Sequence, residues 1–251
     1  MKKLAEFLCA LRFLTTFPLG KPRKWDEGEF SRSVLWYPVA GILIGLTVAA
    51  AYGLLNLLFP PTVCALLAVV CWTIVTGGLH LDGVSDCADG FFYAGSKEAR
   101  LKIMKDVHHG TYGLLALFFT LLLKAAAISN LTVTQAFYVL PLAAALGRLG
   151  VLVQLRLPLL SKNGLAASLK SALPRHAFLK AAIIPIILAL VGLLTGIILF
   201  LVAAIGWYLI GKFALKHING VNGDVLGLTI EWTELLGLLA FSAMNSFVGA
   251  L

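Results

Sequence analysis

The chain has 251 residues, of which 60% are hydrophobic and 13% charged, with a mean hydropathy of +0.93. Soluble domains carry about a quarter of their residues as charges, so a water-soluble globular protein is excluded and membrane spans account for most of the sequence. The net charge of +8 would suit nucleic acid, but the placement of Lys and Arg assigns it to membrane topology instead.

The N-terminal stretch MKKLAEFLCALRFLTTFPLG starts basic and turns apolar. Glu6 and Arg12 interrupt the apolar run and no small-residue cleavage site follows, which argues against a signal peptide. Leu4, Phe7, Leu8, Leu11 and Leu14 share one helical stripe, predicting an amphipathic helix on the membrane or under the bundle. Val34–Phe59 is uncharged and long enough to cross a bilayer core of about 30 Å. A turn at Pro60-Pro61 leads to a second span, Thr62–Leu81, and then to a hydrophilic segment, Asp82–His109. A third span covers Gly110–Asn130, and a polar turn to Thr134 precedes a fourth, Gln135–Leu155. After a hydrophilic loop, Arg156–Lys180, the uncharged run Ala181–Gly211 would be about 46 Å as one helix. That is too long for one span, so it divides into two near Thr195-Gly196. A polar loop, Lys212–Asp224, and a last span, Val225–Leu251, complete the chain.

The predicted fold is all-α: one polytopic membrane helix bundle over residues 1–251, with about seven transmembrane helices and the N-terminal amphipathic helix. Eighteen of the twenty Lys and Arg fall in the N-terminal arm and the three hydrophilic loops. Seven spans put all of these on one side, which the positive-inside rule makes the cytoplasm. The expected place is the cytoplasmic (inner) membrane, with the lipid bilayer as a partner and no nucleic acid. A homo-oligomer is left open. The four cysteines form no CxxC pair and no metal-spaced set.

The chemistry concentrates in TGGLHLDGVSDCADGFFYAGSKEARLKIMKDVHHGTYG, residues 76–113. Asp82, Asp86 and Asp89 are spaced i, i+4, i+7, within about 60° of one another on a helix. Carboxylates so placed repel unless protons or a cation intervene, and hard oxygen donors suit Mg²⁺ or Mn²⁺. With Asp106 they are the expected metal ligands, at a membrane edge where a diphosphate could be held. A second cluster lies in HINGVNGDVLGLTIEWTELLG: Asn222, Asp224 at the start of the last span, and Glu231 and Glu234 within it. Intramembrane carboxylates face a cavity, an ion or a partner, so Glu231 and Glu234 either line the site or pair with Lys124 or Arg148. Arg148 either clamps a phosphate or neutralises an intramembrane Glu. Lys105 either meets a phosphate or serves topology, Lys124 is expected to snorkel, and His80 is expected to be packed or hydrogen-bonded. An ion-coupled transporter is the alternative class, although these acids crowd one membrane face rather than the midplane.

TGGLHLDGVSDCADGFF, KDVHHGTYG and NGVNGDVLG with Glu231 and Glu234 after it, in that order, resemble the cobalamin synthase family. LRFLTTFPLG and WYPVAGILIG fit the same family, so the resemblance covers nearly the whole chain. One departure is Val107-His108, where the family pattern has Ser or Pro and then Arg. The resemblance implies a Mg²⁺-dependent transferase of the cytoplasmic membrane. Its substrates would be adenosylcobinamide-GDP and α-ribazole or its 5′-phosphate, and its products adenosylcobalamin or its 5′-phosphate and GMP. On that reading Asp82, Asp86, Asp89 and Asp106 hold metal. One of them, or Asp224, takes the ribazole 3′-hydroxyl proton. Lys105, Arg148, Asn222, Glu231 and Glu234 contact substrate.

Overall fold

A computed structural model describes residues 2–20 and 24–248. Among these residues twelve α-helices follow one another: α1 Lys2–Leu14, α2 Glu27–Ser33, α3 Tyr37–Leu55, α4 Pro61–Thr76, α5 Leu79–Phe92, α6 Lys97–Ile103, α7 Thr111–Ile128, α8 Val133–Gln154, α9 Leu165–Lys170, α10 Ala177–Val191, α11 Leu193–Ile218 and α12 Gly223–Val248. A 3₁₀ turn, Val34–Trp36, joins α2 to α3. Among the described residues the only β pairing is an isolated parallel bridge between Leu159 and Val221. The all-α bundle read from hydropathy is therefore present.

α8 is the axis of the molecule. A capping box of Thr132 and Gln135 starts it, and it is buried along most of its length. α3 packs most extensively against it, and α12, α10 and α11 complete the surround. α1 buries Cys9, Ala10, Leu11 and Leu14 against the bundle and leaves Leu4 exposed, so the N-terminal amphipathic helix is an integral wall.

Among the described residues five helical runs are long and apolar enough to cross a membrane: Glu27–Leu55, α7, α8, α11 and α12. The bent pair α4 and α5 makes a sixth if counted as one span. α10, with 15 residues, reaches only about 22 Å, short of a full core.

The boundaries differ from the hydropathy reading in three places. The second span stops at Thr76, not Leu81. Gly77 and Gly78 both have positive φ, and their N–H groups bond back to Ile74 O and Thr73 O, a left-handed cap that ends α4. The chain then turns by 97°, so Asp82 onward, as far as Phe92, is a mostly buried helix packed against α7 and α12 rather than a loop. The break in the long uncharged run falls at Gly192-Leu193, with Leu193 at φ 48°, instead of Thr195-Gly196. α11 runs on to Ile218, which makes Lys212 and Lys216 helical. The expected end of the last span, 249–251, lies outside the described residues.

Candidate active site

The site forms where α5 crosses the start of α12. A Cβ added to Gly83 would lie 2.5 Å from the Asp224 carbonyl oxygen, so only glycine lets the two backbones touch. This contact sets Asp224 beside the aspartates of α5. Asn222 caps α12 by accepting from Val225 N at 3.1 Å, and its amide donates to Asp224 Oδ2 at 2.6 Å. The capping residue thus also aims the carboxylate.

The three aspartates of α5 have separate environments despite their common face. Asp82 is exposed, Asp86 half-buried and Asp89 buried. Asp86 lies within electrostatic range of Asp82, Asp224 and Asp89, and Asp224 within range of Asp82. Among the described residues no Lys or Arg forms an ion pair with Asp82, Asp86 or Asp224. Uncompensated carboxylates in one place are a site for a cation or for protons. Asp89 is already occupied: Oδ2 accepts from Gly110 N at 2.7 Å and Oδ1 from Gly113 N at 2.9 Å. It caps the N-terminus of α7, where a negative charge also meets the positive end of the helix dipole. Asp106 stays outside the group. It is exposed and accepts from His108 N at 3.0 Å, and the His108 side chain holds its carboxyl below the usual carboxylate range. Lys105 is exposed beside it. His109, from the same loop, reaches back to Ser85 Oγ at 2.9 Å.

A cavity of about 310 Å³ opens at this crossing. Its polar side carries His80, Asp82 and Asp224, and its apolar side Phe13, Tyr37 and Ile230, with Leu169 of α9 closing it. Hydropathy did not reveal the contributions of α1 and α9, because wall residues there look like ordinary amphipathic positions. His80 shows its role only in three dimensions. It is 4% exposed, lines the cavity, and has no hydrogen-bond partner at Nδ1, which stands 4.0 Å from Glu231 Oε1.

Behind the cavity lies a buried ion network. Lys124 of α7 donates to Glu231 Oε2 and Glu234 Oε2 of α12, each at 2.5 Å. Arg148 of α8 pairs with Glu234 Oε1 and donates to Ala144 O at 3.0 Å. Lys124 is 3% exposed and sits 4.8 Å from the Trp72 ring centroid, so it does not snorkel. Arg148 is fully buried, with Nε and Nη2 unpartnered. Two cations and two anions balance, which is how four charges persist inside an apolar bundle. The geometry therefore gives Glu231 to Lys124, Glu234 to both Lys124 and Arg148, and Asn222 a capping role beside Asp224.

The profile of the family described as cobalamin-5-phosphate synthase matches residues 6–242. Relatives named adenosylcobinamide-GDP ribazoletransferase align over nearly the full chain. One from Clostridium botulinum (strain Okra / Type B1) is 32% identical, covering 94% of this chain and 96% of its own length. One from Pseudomonas syringae pv. syringae (strain B728a) is 34% identical, covering 96% and 100%. One from Chlorobium phaeovibrioides (strain DSM 265 / 1930) is 37% identical, covering 94% and 96%. No solved structure matches the chain. The match over 6–242 and these full-length identities show that the chain belongs to the cobalamin-5-phosphate synthase family.

Proposed function

We propose that the chain joins adenosylcobinamide-GDP to α-ribazole, or to its 5′-phosphate, with release of GMP. The names of the relatives support the reaction class, and one structural observation carries the site: Asp82 and Asp224 face one cavity from two helices, with no Lys or Arg among the described residues paired to either. The ribazole 3′-oxygen forms a bond to the phosphorus that bears the corrinoid arm. The bond from that phosphorus to the bridging oxygen breaks, and GMP leaves with the electron pair. The hydroxyl proton passes to Asp82 or Asp224, the carboxylates on the cavity wall. The apolar wall of Phe13, Tyr37 and Ile230 excludes competing water and suits the flat ribazole base.

The residues also fit Mg²⁺ in its usual form. Among the described residues no three His, Cys, Asp or Glu side chains make a ready cage. Mg²⁺ is commonly held by one or two carboxylates, with water and substrate phosphates filling the rest. Asp82, with Asp86 or Asp224, supplies that donor set. Asp89 and Asp106 are engaged elsewhere, as cap and as partner of His108. When bound, the ion neutralises charge on the diphosphate oxygens. We place the site at the cytoplasmic face of the inner membrane, since the basic loops surround it. The charges inside the bundle, Lys124, Arg148, Glu231 and Glu234, pair with one another, which does not favour an ion-coupled transporter.

The test is GMP release by purified protein. Release should require both substrates and stop when EDTA removes divalent metal. No GMP with both substrates and Mg²⁺ present would sink the assignment, and undiminished release in EDTA would remove the metal from it.

A further inference from the structure

A second cleft, of about 340 Å³, opens beside the catalytic cavity at the same end of α8. The two are neighbours across shared walls. Val151 and Leu169 line the cavity, while the adjacent Leu152 and Lys170 line the cleft. Three cations rim the cleft: Arg156 just after α8, Lys170 at the end of α9, and Arg175 just before α10. Its floor is apolar, with Leu152, Leu155 and Phe178, and no acidic side chain lines it.

Among the described residues no Asp or Glu forms an ion pair with any of the three cations. Lys170 donates to Leu157 O at 3.3 Å, and the Arg156 guanidinium lies 5.3 Å from the Phe178 ring centroid. These contacts orient Lys170 and Arg156 without cancelling their charge. A three-cation rim over an apolar floor is complementary to an anion carried on an apolar body. The surroundings specify that body. Arg175 heads a stripe at helical spacing of four, Leu179, Ile183 and Ile187, which are 62%, 55% and 57% exposed. The stripe runs along α10, the short apolar helix, so an acyl chain can follow it from a headgroup seated in the cleft. Basic pockets between membrane helices hold anionic lipid headgroups in this way.

We propose that Arg156, Lys170 and Arg175 form a binding site for the headgroup of an anionic phospholipid whose acyl chain lies along α10. Because α9 is a wall of both spaces, a lipid seated there braces the catalytic cavity from behind. The inference does not depend on which reaction the cavity performs.

The test uses delipidated full-length protein in detergent, titrated with phosphatidylglycerol and with phosphatidylcholine. Retained lipid is read by native mass spectrometry and thermal stability by Tm. Each basic side chain near a membrane surface is worth about fivefold in attraction for anionic lipid. The triple variant Arg156→Gln, Lys170→Gln, Arg175→Gln should therefore retain on the order of a hundredfold less phosphatidylglycerol and lose its Tm rise. Wild type should retain little phosphatidylcholine. All three positions are exposed, so the variant keeps its core. A charge-matched control, Lys102→Gln, Lys212→Gln, Lys216→Gln, should bind as wild type does. Equal retention by the triple variant, or an equal loss in the control, would overturn the site. Phenyl phosphate bound as tightly as phosphatidylglycerol would overturn the lipid assignment.

Discussion

At the residue scale, one helical face carries two different jobs. The i, i+4, i+7 spacing of Asp82, Asp86 and Asp89 is visible in the sequence, but spacing cannot show what each carboxylate meets. Asp82 opens to the cavity, whereas both oxygens of Asp89 receive backbone N–H groups from the start of α7. Their conservative variants should separate accordingly. Asp82→Asn should lower GMP release on the order of a hundredfold, as loss of an electrostatic group at the reacting centre does, and leave Tm unchanged. Asp89→Asn keeps one acceptor oxygen but loses the other and the negative charge at the helix end. It should cost about 1–2 kcal/mol of stability, seen as a lower Tm, with turnover per folded molecule kept within a few-fold. If the two variants lose turnover equally at unchanged Tm, Asp89 acts in the site rather than beneath it. Asp224 was legible as a second acid near the same face. Its closeness to Asp82 was not, because that depends on Gly83 admitting the α12 backbone.

At the scale of elements, hydropathy found most helices and misplaced their ends for a physical reason. A window average registers apolar length but not a pair of positive-φ glycines, so the span expected to reach Leu81 stops at Gly77-Gly78 and the chain turns through 97°. That turn is what makes α5 a cross-piece able to meet α7 and α12 at once. α12 is held at two levels, by α5 at Asp224 and further along by Lys124 and Arg148 on Glu231 and Glu234. The sequence left two roles open for these acids, and only the distances choose partners for them. A neutral, buried network has a distinctive response to mutation. Lys124→Gln leaves one negative charge uncompensated and should destabilise by about 3–5 kcal/mol. Adding Glu231→Gln restores the balance, with Arg148 facing Glu234, so the double variant should be less destabilised than the sum of the singles. Thermal unfolding of the four proteins in one detergent measures the coupling. Strict additivity would mean that the charges do not act as a unit.

At the scale of the whole molecule, the contacts sort the connections into two ends. At one end Tyr52 Oη bonds Leu131 O at 2.8 Å, Gln135 Nε2 bonds Asn245 Oδ1 at 3.3 Å, and Tyr138 Oη bonds Ala189 O at 3.4 Å. These bonds gather the end of α3, the α7–α8 turn, the end of α10 and the last turns of α12. At the other end Ser31 Oγ bonds Leu169 O at 2.8 Å, Lys170 reaches Leu157 O, Lys97 reaches Asn219, and the cavity lined by His80, Asp82 and Asp224 opens. The Lys and Arg residues follow the same division. The turns at Pro60-Pro61 and Asn130–Thr134 carry none, while the connections around the cavity carry Lys97, Arg100, Lys102, Lys105, Arg156, Lys162, Lys170 and Arg175. Charge bias of this kind orients short loops toward the cytoplasm whether or not α10 spans fully. Single cysteines placed in a background lacking the four native ones should therefore react differently in intact cells. Gly95→Cys, Ser168→Cys and Gly220→Cys should resist a membrane-impermeant maleimide until the membrane is opened, whereas Pro60→Cys and Thr132→Cys should react from outside. External labelling of Gly95→Cys would invert the molecule in the membrane. It would also overturn the proposed placement of the Asp82–Asp224 cavity at the cytoplasmic face.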